Sequence, residues 1–401
     1  MNKLTGVGVF LFLISRRYAK YLKLSQKYPT TNQLNNTGGK KMVLNFAKEA
    51  VDNASTHGIN FDDLKAGKAN IKVIGVGGCG CNAITWLFNK GINGATVYGA
   101  NTDALHLSVT KADEKILIGK ELTRGLGAGG VPQKAREAAK EAIVDLKKAV
   151  SGADMIFIVA GMGGGTGTGA APVVAQLAKE TGAVVIGVVT MPFDSEKARI
   201  DKAEFGLQEL REVTDTTIVI DNNRLVDIAG QLPLEQAFAV ANELISVMVK
   251  GIVETITLPS LINLDYADVS AIMKDGGVAV IGVGESDSSS HRVAEAVQQA
   301  LTNPLLDVDY KGATGALIHV TCGPDLKLEE FDNVGRIVSE NLSTEANVII
   351  GARINKEFQG KVRVITIMTG VKSPYVLGKE RPEAMARPSK EMSDLGIEVW
   401  R

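Results

Sequence analysis

Cysteine is scarce in this 401-residue chain: the three, Cys79, Cys81 and Cys322, are an odd number and exclude the disulfide framework of a secreted module. Histidine is scarce as well. The four, His57, His106, His291 and His319, are scattered, so the Cys79 and Cys81 pair lacks the further donors of a tetrahedral site, and no metal held by protein groups alone is expected. Neither charge sign is in excess, with 44 Lys and Arg against 45 Asp and Glu, which argues against nucleic acid as a partner. No transmembrane helix and no internal repeat are expected, because the apolar stretch from Val7 to Ile14 is too short to span a bilayer. A Walker-type loop is absent too, since no Gly is followed at the right spacing by Gly-Lys-Ser or Gly-Lys-Thr. Acidic residues are missing from residues 1–41, which carry eight Lys and Arg. That composition reads as a leader upstream of Met42, with organellar import as the second reading.

What the chain has in abundance is glycine in particular places. Gly163, Gly164, Gly165, Thr166, Gly167, Thr168 and Gly169 lie between an apolar run, Asp154 to Ala160, and a helical pattern, Ala170 to Glu180. A strand, a small-residue loop and a helix in that order place backbone N–H groups at a helix N-terminus, where anions bind. Gly75-Val76-Gly77-Gly78-Cys79-Gly80 matches the dinucleotide fingerprint, with Asp103 following 23 positions after Gly80. A third loop, Gly125-Leu126-Gly127-Ala128-Gly129-Gly130, again precedes a helical pattern. A dinucleotide needs one pyrophosphate loop. Three loops at one sheet edge suit a chain of three phosphates, held largely by backbone amides. A nicotinamide-dependent oxidoreductase would leave two of these loops unexplained.

The surrounding pattern alternates strand and helix. Strands are expected at Ile71–Val76, Ala95–Ala100, Glu114–Ile118, Met155–Ala160, Ala183–Thr190 and Thr216–Ile220, a doubly wound parallel sheet. One helix is expected over Pro132–Val150, opened by Pro132, and a long one over Pro233–Leu258 that is apolar almost all round and so buried on several sides. Four further strand-like runs, Gly277–Gly284, Ala313–Cys322, Ala346–Arg353 and Lys361–Thr369, with helices at Ser290–Leu301 and Leu328–Asn341, make a second, smaller α/β domain. The expected division is an extension over 1–66, a nucleotide-binding domain over 67–258 that includes the long helix, a second domain over 259–371 and a tail over 372–401.

Gly161 to Pro172 resembles the signature loop of the tubulin and FtsZ superfamily, and the order of motifs from Ile71 to Val371 is similar to FtsZ in particular. The resemblance implies a GTPase that polymerises head to tail and forms the cytokinetic ring, binding GTP and GDP with magnesium at the phosphates and potassium as a further cation. It implies that Gly77 and Gly78 to Asn82 (Gly78, Cys79, Gly80, Cys81, Asn82) wrap the α and β phosphates. Asn101 and Asp103 would lie near the nucleotide and its cation, and Gly127, Ala128 and Gly129 would face the γ-phosphate. Glu196 and Arg199 would contact ribose and phosphate, while Asn222, Phe238 and Asn242 would recognise guanine, Phe238 by stacking. Cys79 and Cys81 stand where the family carries glycine, so a positive φ there would be strained.

Asn263-Leu264-Asp265-Tyr266-Ala267-Asp268 resembles the family's catalytic loop. Asp265 and Asp268 are spaced i, i+3, on one face at a helix start, where acidic residues also serve as caps. The resemblance implies that Asn263, Asp265 and Asp268 act on the GTP of the next subunit, orienting and polarising the attacking water. A family member that assembles as a scaffold without hydrolysis is the alternative, and the intact loop argues against it. At the other end, Leu395 to Trp400 reads as an apolar docking peptide for a membrane-anchoring adaptor. The place of action implied is the cytoplasm at the mid-cell division site.

Overall fold

Runs of apolar and β-branched residues become strands where the pattern places them. The computed structural model describes residues 69–371 apart from 259, 263, 275, 289–290, 303–312 and 341. The expectations for the leader, for Asn263 and for the tail therefore lie outside the described residues. The first half contains β1 (Ile71–Val76), α1 (Gly77–Lys90), β2 (Ala95–Asn101), α2 (Ala104–Val109), β3 (Glu114–Leu117), α3 (Lys120–Thr123), α4 (Pro132–Glu141) and α5 (Ile143–Val150). It continues through β4 (Met155–Gly161), α6 (Thr166–Glu180), β5 (Val184–Met191), α7 (Ala198–Glu212), β6 (Thr216–Asp221) and α8 (Asn222–Ala229). Helices α9 (Leu234–Thr257) and α10 (Tyr266–Met273) lead into the second half. That half holds β7 (Gly277–Ser286), α11 (Arg292–Leu301), β8 (Gly315–Cys322), α12 (Leu328–Ser339), β9 (Asn347–Ile354) and β10 (Val362–Thr369).

All ten strands join one sheet in the order β3-β2-β1-β4-β5-β6-β7-β10-β8-β9. From β3 to β7 the neighbours are parallel; β10 is antiparallel to both β7 and β8, and β8 and β9 are parallel. The two halves meet strand to strand through Thr216 opposite Gly277, Thr217 opposite Val278 and Ile218 opposite Ala279. The sequence pattern, which puts only the long helix between the halves, does not anticipate this join.

Side-chain alternation divides the core. Ile71, Val73, Phe157 and Ile186 point to one face, where α1 and α9 cover them with Ile84, Leu87, Met248 and Ile252. Ile74, Ile156, Ile158 and Val185 point to the other, against Ala139, Leu146, Val174 and Leu207 of α4 to α7. A third cluster packs Val278, Val280 and Val320 beneath Val293, Val297 and Val334.

Two expectations need correction. The helix expected over Pro132–Val150 is two, broken at Ala142 (φ −90, ψ 20), beside the point where the Glu141 carboxylate accepts from the Glu121 and Leu122 N–H groups at the start of α3. The long helix is buried only in part. It is long and apolar enough to cross a bilayer by length and composition, and Ile245, Met248, Val249, Ile252 and Val253 pack into the core, yet Leu234 is 72% and Phe238 40% exposed. Those first turns face a cavity instead of the sheet.

Strand β8 carries His319, which is 4% exposed and has no hydrogen-bond partner for Nδ1. Burial, with the Arg353 charge adding to it, pushes its pKa down from 6.5 to about 4. The folded state thus favours the neutral ring. That contribution is complete above about pH 6.5, where the unfolded chain is also neutral, and is lost as pH falls through about 4. The span corresponds to about 3 kcal/mol. His319→Leu is expected to flatten this part of the pH dependence when urea midpoints are compared at pH 7.5 and pH 4, and an unchanged difference between the two pH values would disprove it.

Candidate active site

The sheet order reverses direction around β1 and β4, whose carboxyl ends therefore border a crevice. A cavity of about 500 Å³ opens there. Its walls come from the carboxyl ends of successive strands: Val76 closes β1, Gly161 closes β4, Thr190 lies at the end of β5, and Asn222 follows β6. A second cavity of about 200 Å³ adjoins it, sharing Gly78, Gly165 and Thr166 and adding Asn101, Thr102, Asp103 and the loop Gly127 to Gly130.

Much of what reads as loop in the sequence is the first turn of a helix. Helix α1 begins at Gly77 and α6 at Thr166, so Gly77 to Asn82 and Thr166 to Gly169 are helical. Neither start has a side-chain cap, and neither has an acidic residue in its first turn. Their leading N–H groups are free of intrahelical partners, and both helix dipoles favour negative charge at this point. Small residues allow the two starts to touch. Gly77 has φ +74, and a Cβ on it would lie 2.8 Å from the Gly167 nitrogen. A hydrogen bond of 2.7 Å between the Thr102 and Thr166 hydroxyls ties the end of β2 to α6.

The expected site residues divide by what they face. Gly78, Cys79, Gly164, Gly165, Thr166 and Gly167 line the larger cavity, and Asn101, Asp103, Gly127, Ala128 and Gly129 line the smaller. Gly80 and Gly169 serve helix packing. A Cβ on Gly80 would lie 2.2 Å from the Val159 carbonyl, and one on Gly169 would lie 1.9 Å from that of Pro132. Gly163 backs onto Arg199, and Thr168 is wholly buried. Cys81 is buried beneath α1, near the Gly75 and Ala100 carbonyls at 3.8 and 3.9 Å, and burial pushes its thiol up to about 11. Cys79 reaches Thr190 Oγ1 at 3.4 Å, and burial raises its pKa as well. Both thiols stay protonated near neutrality, so neither is poised as a nucleophile. The expected strain is not there: among the described residues the non-glycine positions with positive φ are Arg124 and Lys197.

Glu196 and Arg199 line the larger cavity as an ion pair of 2.5 Å, with Glu196 also accepting from the Phe193 N–H. Asn222 and Phe238 line the same cavity, and the Phe238 ring meets Phe193 edge to face at 6.1 Å. Asn242, half-buried one helical turn beyond Phe238, is not part of the lining. Sequence reasoning missed Met162, Thr190, Phe193 and Leu234 in the larger cavity and His106 in the smaller. Thr190 and His106 had a usable signal, since each lies at or just beyond the carboxyl end of an expected strand.

Asp265 and Asp268 are elsewhere. Asp265 is the N-cap of α10 and accepts from the Asp268 N–H at 2.9 Å, while the Asp268 carboxylate accepts from the Asp265 N–H at 3.2 Å, a reciprocal capping box. Burial pushes the Asp268 carboxyl up, and the neighbouring Asp265 charge adds to this. Between them, the Tyr266 hydroxyl donates to the Asp154 carbonyl at 2.9 Å. Asp154 precedes β4, and Gly161 at the strand's other end lines the cavity. At about 3.3 Å per residue, the strand separates α10 from the cavity by roughly 20 Å. Among the described residues no group of three His, Cys, Asp or Glu side chains is placed to hold a metal ion.

Comparison with known proteins agrees with this geometry. A family model described as "Tubulin/FtsZ family, GTPase domain" matches residues 70–230, and "FtsZ family, C-terminal domain" matches residues 277–372. "Cell division protein FtsZ 2" of Methanocaldococcus jannaschii is 52% identical over 356 residues, covering 88% of this chain and 93% of that protein. A protein of the same name from Halobacterium salinarum is 51% identical, with coverage of 82% and 84%. Among solved structures, an empty FtsZ dimer from M. jannaschii superposes with a TM-score of 0.73 at 52% identity, covering 77% of this chain and 90% of that one. The chain belongs to the tubulin/FtsZ family, and within it to FtsZ.

Proposed function

We propose that this chain is a self-assembling GTPase of the cell-division cytoskeleton whose active site is completed only when one subunit meets the next, head to tail. One observation carries the intersubunit reading. The carboxylates of α10 lie at the amino edge of the sheet and the phosphate-type cavity at its carboxyl edge, so a subunit's own Asp265 and Asp268 do not reach its own nucleotide. Two different surfaces joined in this way, repeated without ring closure, give an open filament.

In this reading the free N–H groups of α1 and α6 hold the phosphates, with the Thr102 and Thr166 hydroxyls beside them. Asn222 recognises the guanine edge and Phe238 stacks on the base, and Asn242, which stands one helical turn beyond the lining, is the second amide that the resemblance assigns to guanine. Asp103, the acidic residue in the lining of the smaller cavity, is the group proposed to face magnesium, although its carboxylate also caps α2 by accepting from the His106 N–H at 2.9 Å. Magnesium, with potassium as a further cation, would offset charge on the phosphates. The next subunit supplies Asp265 and Asp268, which orient the water for in-line attack on the γ-phosphate, and Asn263, which binds the phosphate side. Burial pushes the Asp268 carboxyl up, which makes its carboxylate a stronger base toward that water. The proposed domain limits are 67–258 and 259–371. The proposed place of action is the cytoplasmic division site, with residues 395–400 docking on a membrane-anchoring adaptor.

Phosphate release per molecule, followed against protein concentration with magnesium and potassium present, tests the shared site. The rate is expected to stay near zero up to a threshold and then rise. A rate per molecule independent of concentration would mean that each subunit holds a complete site.

A further inference from the structure

His106 belongs to none of the motifs of the sequence, yet it lines the smaller cavity beside Asn101, Thr102 and Asp103. Its ring lies between two carboxamides, with Nδ1 3.3 Å from Asn101 Nδ2 and Nε2 3.0 Å from Asn82 Oδ1. One fixed donor settles the direction of every bond in this row. The backbone N–H of Asp103 can only donate, and it lies 3.3 Å from Asn101 Oδ1. That fixes the oxygen end of the Asn101 amide, so its nitrogen faces the ring, and an amide nitrogen only donates. Imidazole Nδ1 must therefore accept, the proton resides on Nε2, and Nε2–H donates to Asn82 Oδ1. That leaves the Asn82 nitrogen on the side away from the ring, on a residue that stands outside the lining of both cavities and is joined to the smaller one through His106. Asn101 is 2% exposed, so water is no ready substitute for its partner, whereas Asn82 is exposed on α1.

We infer that His106, as the neutral Nε2–H tautomer, is a positioning residue: it relays the fixed backbone of the turn between β2 and α2 to Asn82, and presents the Asn82 amide nitrogen to the phosphates of the bound nucleotide. The inference rests on the reading of Gly78 to Asn82 as a phosphate-binding segment. Without the relay the Asn82 carboxamide turns freely, and its oxygen, which repels an anion, faces the phosphates as readily as its nitrogen. Losing one oriented, charge-assisted hydrogen bond corresponds to about a tenfold loss of affinity.

Two measurements on the full chain test the relay. With histidine labelled with ¹⁵N, below the assembly threshold and near pH 7.5, one-bond and two-bond ring correlations report the tautomer of each of the four histidines, and His106→Gln assigns the signal by its loss. The Nε2–H tautomer is expected; an Nδ1–H or doubly protonated ring would overturn the relay. The second measurement sets GDP affinity below the threshold against GTP turnover at saturation above it. His106→Ala is expected to weaken GDP about tenfold while turnover per assembled subunit stays within about twofold. His106→Gln, whose side-chain nitrogen reaches the place of Nε2, should recover most of the affinity. Unchanged affinity in His106→Ala, no recovery in His106→Gln, or turnover falling without loss of affinity would each refute the role. A rate per molecule independent of concentration in the unmodified chain would instead strike the intersubunit site and leave these binding results standing.

Discussion

Asp268→Asn is expected to lower GTP turnover by about 10²-fold or more while GTP binding survives, because in the proposed head-to-tail reading the affected group acts on the nucleotide of another subunit. The choice of Asn over Ala matters here. Asp268 has a structural duty, since its carboxylate accepts from the Asp265 N–H in the capping box of α10. Asn keeps an oxygen for that bond and removes only the charge and the capacity to take a proton. Ala removes the bond as well, at a cost of about 1 kcal/mol in helix stability. If the acidic pair were only a cap, Ala would disturb the protein and Asn would pass almost unnoticed. If it is catalytic, both variants lose turnover to a similar extent and differ only in thermal stability. Turnover by Asp268→Asn close to that of the unmodified chain, measured well above the assembly threshold, would remove Asp268 from the chemistry.

The same pair shows how far the sequence could be read. Spacing i, i+3 at a helix start placed both carboxylates together, and the structure gives them both halves of a reciprocal cap. Spacing alone does not separate a cap from a catalytic pair, because both need acidic groups beside free N–H donors. Position in the sheet adds what spacing cannot, since the Tyr266 bond to the start of β4 sets the pair at the edge opposite the cavity. The strands of the first half were legible because buried parallel strands are continuous apolar runs, as the wholly buried β1 and β5 show. The glycine loops were legible as loops bordering a cavity but not glycine by glycine. Lack of a side chain leaves open space at the cavity wall, as at Gly78 and Gly164, and equally allows close approach to backbone, as at Gly80 and Gly169. Only the tertiary neighbour tells which. The join of β6 to β7 was hidden for a similar reason, since three residue pairs of backbone bonding leave no mark on the pattern of side chains.

Gly167→Ala is expected to weaken GTP binding by 10²-fold or more, although the residue sits in an ordinary helical turn. A Cβ at this position would lie 2.4 Å from the Gly161 carbonyl oxygen and 3.3 Å from the Gly161 carbonyl carbon and nitrogen. These are backbone atoms at the end of a buried strand and cannot swing aside. Nor can α6 slide as a body, because Ala171, Val174, Ala175 and Ala178 are wholly buried along its length. Relief must come from its first turn, which carries the free N–H groups. Gly77 would transmit the shift, since its own missing side chain leaves the start of α1 against the Gly167 nitrogen. Misdirecting two amides that each donate to a charged group, at about 1.5–3 kcal/mol apiece, accounts for 10²-fold or more. Thr166→Val adds a check that leaves the packing volume almost unchanged. It removes only the hydroxyl that bonds Thr102 at 2.7 Å, and about a tenfold loss is expected. Calorimetric titration of each variant with GDP, after a melting curve confirms that it folds, decides the matter. Affinity within twofold of the unmodified chain in a folded Gly167→Ala would mean that the phosphates are not held at the start of α6.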